Sequence, residues 1–166
     1  MHRTTKHQTL ALRLSLLLLL ALPLAACGGS NIPNTTVDDN SKNREVLEFV
    51  ELYRKAIEAR DIAKLLSLAS PSYLDDNGTP HGADDIDYEK LQEKLKSWKQ
   101  SIIDVRYEIR YRNIQHRGDR VYVDYTYTGN FRLKKPDGES SWSRRLADNR
   151  LILDRSGDTF TIVSGM

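Results

Sequence analysis

Ile102 to Arg112 reads I-I-D-V-R-Y-E-I-R-Y-R, and its period decides the fold. Val105, Tyr107, Ile109 and Tyr111 alternate with Arg106, Glu108, Arg110 and Arg112. That two-residue repeat belongs to a strand with one buried and one wet face. The alternation returns beyond a turn at His116-Arg117-Gly118-Asp119, where Val121, Val123, Tyr125 and Tyr127 alternate with Tyr122, Asp124, Thr126 and Thr128. Pro136-Asp137-Gly138 predicts the next turn and a long strand follows from Ser141 to Asp154. Ser156-Gly157-Asp158 turns the chain again, into a last short strand over Thr159–Val163.

Upstream of this meander the period is helical. Val46, Phe49, Val50, Tyr53 and Ile57 form one apolar stripe, with Glu48, Glu51, Arg54, Lys55 and Glu58 off it. Asp61 caps a second, short helix carrying Ile62, Leu65 and Leu66, which Pro71 stops. The segment from Tyr73, Y-L-D-D-N-G-T-P-H-G-A-D-D, reads as a turn-rich loop. Asp84 or Asp87 then opens a third helix with Tyr88, Leu91, Leu95, Trp98 and Ile102 along one side. Three N-terminal helices followed by hairpins predict an α+β domain, the helices packed on one face of a curved antiparallel sheet.

The N-terminus carries a different message. Met1–Arg13 holds Arg3, Lys6 and Arg13 without an acid, and Leu14–Leu22 is apolar apart from Ser15. A basic stretch and a short apolar run make a secretory leader, too short for the roughly 20 residues of a membrane span. Leu24-Ala25-Ala26-Cys27 follows, with the chain's single cysteine last. This resembles the lipobox of bacterial lipoproteins, which implies cleavage before Cys27 and acyl chains on it, including palmitate. Several chains hold a protein stably at a lipid surface where one does not. Gly28 stands where an aspartate would resemble an inner-membrane retention signal, so the expected address is the outer membrane, facing the periplasm. Residues 28–43, G-G-S-N-I-P-N-T-T-V-D-D-N-S-K-N, are polar and without period. A disordered tether is therefore expected over 27–43, reaching about 22 Å as a flexible chain, with one domain over 44–166.

Charge excludes more than it suggests. The sequence has 25 Lys+Arg and 23 Asp+Glu; the leader holds three of the cations and no acid, which leaves 22 against 23. A basic pI thus gives no support for nucleic-acid binding. Strand alternation also separates the arginines of R-Y-E-I-R-Y-R from its tyrosines, so bases could not stack beside the cations. With Cys27 acylated, no thiol remains for a disulfide, a metal site or a nucleophile.

The helix V-L-E-F-V-E-L-Y-R-K-A-I-E-A-R-D, the short helix after it and the close R-L-I-L-D-R-S-G-D-T-F-T-I-V-S-G-M resemble the nuclear transport factor 2-like superfamily, which includes ketosteroid isomerase and polyketide-cyclase-like proteins. The resemblance spans residues 44–166, and the final hairpin has Phe160 where the family often has tryptophan. It implies a cone-shaped half-barrel with a pocket between helices and sheet, often dimeric through the outer sheet face.

An acid–base enzyme on this fold needs a titratable group inside the pocket. Parity on the long strand turns Leu151, Asn149, Ala147 and Arg145 inward and Asp148 outward, although a bulge would bring Asp148 in. His81, in the loop after Tyr73, is the other base to test, and His116 beside its turn reads as a solvated residue. Two distant histidines lack the spacing of a zinc site, and Asp75, Asp76, Asp84, Asp85 and Asp87 miss the spacing of a calcium loop. No cofactor is expected. Tyr53, Tyr73, Tyr107, Tyr125, Trp142 and Asn149 are the candidate ligand-lining residues, because such side chains join apolar area to a polar tip. The leading expectation is a non-catalytic envelope lipoprotein whose domain binds a small apolar ligand or a protein partner. An isomerase, dehydratase or cyclase using Asp148 or His81 is the alternative. A third reading is a structural accessory of an envelope assembly, using the charged sheet face.

Overall fold

Both periodicities resolve into elements that share one core. The computed structural model describes residues 30–79 and 82–166; the leader, Cys27 and His81 lie outside the described residues. Helices α1 (Ser41–Ala59), α2 (Ile62–Leu68) and α3 (Tyr88–Ser101) precede the long strands β3 (Ile102–Arg117), β4 (Arg120–Lys134), β5 (Ser140–Ser156) and β6 (Thr159–Ser164). Two short strands, β1 (Leu74–Asp75) and β2 (Ile86–Asp87), pair with each other across the turn-rich loop. The large sheet is an antiparallel meander in the order β3-β4-β5-β6.

Local chemistry starts each helix. Asn40, Asp61 and Asp87 accept hydrogen bonds from the N–H groups of Asn43, Lys64 and Lys90, closing the first turns of α1, α2 and α3. Arg60 adopts a left-handed φ of 53° between α1 and α2 and returns its N–H to Ala56 and Ile57. The predicted stripe of α1 is buried throughout, and Phe49 meets Phe160 with ring centroids 5.6 Å apart.

One expectation is corrected by the packing. From Asn31 onward the disordered tether is instead part of the domain: Asn31 bridges Asp38, Val37 is only 2% exposed, and Ile32 packs on the core. Two apolar residues suffice because they enter a core that the rest of the chain has already built. His116, expected to be solvated, is exposed, although it belongs to β3 and has its Nε2 3.0 Å from the side-chain oxygen of Asn43. Its direction follows from a bulge: Tyr111 pairs with Tyr125 and Asn113 with Asp124, so Arg112 is extra and the parity beyond it reverses.

The acids of α1, predicted merely to lie off its apolar stripe, close the free edge of β3. Glu58 accepts the Tyr107 N–H at 3.0 Å, Arg54 donates to the Tyr107 carbonyl at 3.1 Å, and Tyr111 donates its hydroxyl to Glu51 at 2.6 Å. Thr36 adds a bond to the Arg112 carbonyl at 2.6 Å. Side chains thereby occupy groups that an edge strand otherwise offers to a second chain.

Candidate functional site

The concave face of the sheet is filled at one end and hollow at the other. Along β4 the inward residues run Val121, Val123, Tyr125, Tyr127, Gly129; along β5 they run Leu153, Leu151, Asn149, Ala147, Arg145. Bulky aliphatics thus give way to small or polar residues, and the space they leave is a cavity of about 360 Å³, open to solvent. Tyr53 and Ile57 of α1, Leu65 of α2, and Leu91, Leu95 and Trp98 of α3 wall one side; Tyr107, Tyr127 and Phe131 wall the other. Tyr107 and Tyr127 stack with centroids 5.1 Å apart. A side chain at position 129 would strike the Phe131 ring, so glycine lets that ring fold across the sheet.

Of the sequence candidates, Tyr53, Tyr107 and Asn149 reach the wall. Tyr125, fully buried, stands behind it and accepts a hydrogen bond from the Asn149 amide at 2.9 Å. Tyr73 is also behind the wall and is reached through Asp75 and Met166. Trp142 is a correction: it is 52% exposed on the outer face, with Arg106 over its ring at 5.6 Å. Its even-numbered parity, shared with Asp148 and Arg150, already pointed that way. The indole of the cavity is Trp98 instead.

Asp148 borders the cavity by position, yet its carboxylate is not offered as a base inside the cone. Its carboxylate lies on the outer face, accepting from Thr126 at 2.6 Å and from Arg112 at 2.8 Å. These partners hold it below the usual carboxylate range. His116 is not among the lining residues.

The other acid of the lining is Asp75, named in the sequence only among the loop acids that miss the spacing of a calcium site. One oxygen accepts from the Tyr73 hydroxyl at 3.2 Å and the Gly165 N–H at 3.0 Å, the other from the Asn77 N–H at 3.1 Å. Asn149 also donates to the Gly165 carbonyl at 3.0 Å, and the Met166 N–H to the Tyr73 hydroxyl at 3.0 Å. The last residues of the chain are thereby tied between the β1 loop and the sheet. No sequence period marks this latch, since its partners come from a turn and a terminus.

Electrostatically the wall is rich in donors. Burial pushes the phenols of Tyr53 and Tyr107 well up, and Tyr125 adds to both shifts while a bond from Tyr53 offsets part of the one at Tyr107. Tyr125 is raised by burial as well, against bonds from its neighbours. All three stay protonated, able to donate.

No family profile and no curated protein matches the chain. Solved structures do. A candidate dehydratase of the NTF2-like family from Streptomyces avermitilis has a TM-score of 0.58 at 13% identity, covering 75% of this chain and 93% of that one. A ketosteroid isomerase-like protein from Erwinia carotovora gives 0.59 at 15%, covering 76% and 95%. The fold is the NTF2-like cone. A candidate scytalone dehydratase from Novosphingobium aromaticivorans shares it at 0.61 and 8% identity, covering 75% of this chain and 80% of that one. At such identities the NTF2-like likeness carries the architecture alone, and activity has to be argued from the cavity.

Proposed function

We propose that the chain is a lipid-anchored envelope protein whose NTF2-like cone holds a small ligand without transforming it. The observation that carries the binding half is the open cavity of about 360 Å³ with its aromatic wall, within the size range of about 300–1,000 Å³ common to small-molecule sites. Non-catalysis is supported by the three donors that already engage Asp75. The anchor rests on the leader and on Leu24-Ala25-Ala26-Cys27; its acyl chains tie the domain to the periplasmic leaflet of the outer membrane.

Native mass spectrometry of the full-length chain tests the binding half. A small molecule should co-purify with the wild type and be lost from Ala147→Trp, which fills the cavity; a ligand retained by the filled variant would sink the reading. For the anchor, metabolic labelling with palmitate should mark the wild type and leave Cys27→Ala unlabelled. Equal labelling of both chains would remove it.

One observation favours a second reading. Asp75, in the wall of a solvent-connected cavity, is bonded to the phenol of Tyr73 behind it, and a carboxylate paired with a phenol is a combination that proton transfer at a carbon next to a carbonyl can use. If the cone is an isomerase, conjugation of a β,γ-unsaturated ketone should be accelerated by the wild type and not by Asp75→Asn.

A further inference from the structure

We propose that the ligand is a small aromatic carboxylate, its rings against Tyr107, Tyr127 and Trp98 and its acid group held at the cavity mouth by Lys94 and Arg145. The inference rests on the reading that the cone binds a ligand and adds the charge of that ligand.

Both cations are placed by the fold. Lys94 follows Leu91 by three residues and precedes Trp98 by four, so it lies on the side of α3 that walls the cavity. Arg145 shares the inward parity of Ala147 and Asn149, and its neighbour across the ladder is Gly129, which puts no side chain of its own beside the guanidinium.

Among the described residues neither cation has an ion-pair or hydrogen-bond partner. Two arginines of the outer face differ: Arg112 is matched to Asp148 at 2.8 Å and Arg150 to Asp124 at 2.6 Å. Within the wall, the carboxylate of Asp75 is already engaged by Tyr73, Gly165 and Asn77, and that of Asp148 is turned away. Two unmatched cations and the neutral phenols of Tyr53 and Tyr107 therefore face a space bounded largely by aromatic and aliphatic side chains. Lysine and arginine only donate, and a carboxylate only accepts, so a carboxylate answers both its charge and its hydrogen-bonding demand. The small volume limits the body to one or two rings.

Calorimetry of the full-length chain with 2-naphthoate and its neutral isostere 2-naphthamide tests this, with amide shifts at Ala147 and Asn149 locating the site. The naphthoate is expected to bind about tenfold tighter, and that preference to shrink as salt is raised. Lys94→Met and Arg145→Met keep apolar stems; each should weaken naphthoate about three- to tenfold while naphthamide changes less than about twofold. Equal affinity for the two probes, or equal loss of both in the double variant, overturns the proposal and leaves the ligand-binding reading standing. Failure of both probes to shift Ala147 and Asn149 overturns the two together.

Discussion

The two ends of the concave face are made by the same strands in the same register, yet they differ in what fills them. At one end Val121, Val123, Leu151, Leu153 and Ile162 are at most 1% exposed and leave no room between helix and sheet. At the other, Tyr127, Gly129, Ala147 and Arg145 surround a void. Burial alone would favour filling both, so the hollow end is relieved of most of the work of holding the fold together. Residues there can be chosen for what they present to a guest. The sharpest way to break this contrast is to truncate one residue at each end. Leu151→Ala should cost about 2–5 kcal/mol in urea unfolding, the range for emptying a packed core site. Lys94→Met at the mouth should change stability by less than about 0.5 kcal/mol. Comparable losses at the two ends would show that the void is an accident of packing.

A smaller effect is expected where the chain's end is fixed to the hollow half. Gly165 has φ +93°, and a side chain there would be driven into the Arg150 carbonyl. Gly165→Ala should therefore cost about 1–3 kcal/mol, as backbone held in a region closed to other residues does. Because Gly165 joins Asp75 to Asn149, the amide signals of those two residues should move more than those of Val123 or Leu153. Unchanged stability, or shifts spread evenly over the sheet, would show that the latch does not organise the mouth.

The packed end was legible in the sequence and the hollow end only partly so. Val105 to Tyr111 and Val121 to Tyr127 alternate without exception, and strand parity with one wet face follows from that. It also assigned Arg145, Ala147 and Asn149 inward and Asp148 outward. What parity could not supply was depth: Tyr53 and Tyr125 both face inward, but only the position of α1 decides that Tyr53 touches the void and Tyr125 stands behind it. Trp142 was misplaced because its chemistry was weighed above its parity. Asp75 was missed for a different reason, since it acts through Gly165, ninety residues away in sequence, and no local pattern encodes such a pair. The tether failed on composition: Ile32 and Val37 looked too few to fold alone, and they do not fold alone.

The smallest expected effect is on pH dependence, and it separates the ends by chemistry. His116 lies beyond the bulge, against Asn43 of α1; burial lowers its pKa, and the charges of Lys42 and Arg155 lower it further. Unfolded, the imidazole titrates at about 6.5. Between that value and the lower folded one, the unfolded chain binds more protons, so stability rises with pH there. The contribution is complete above the unfolded value and is lost as pH falls through the folded value. Glu58 comes later on acidification: burial pushes it up, but the Tyr107 N–H and Arg54 outweigh burial and hold it below the ordinary carboxylate range, so its share is lost only below about pH 4. Denaturant midpoints measured from pH 7 to pH 5 should thus fall for the wild type and fall less for His116→Gln, whose amide can still donate to Asn43. Parallel slopes would move the source of mild-acid loosening from the packed end to the hollow one, and the contrast between them would fail at its most chemical point.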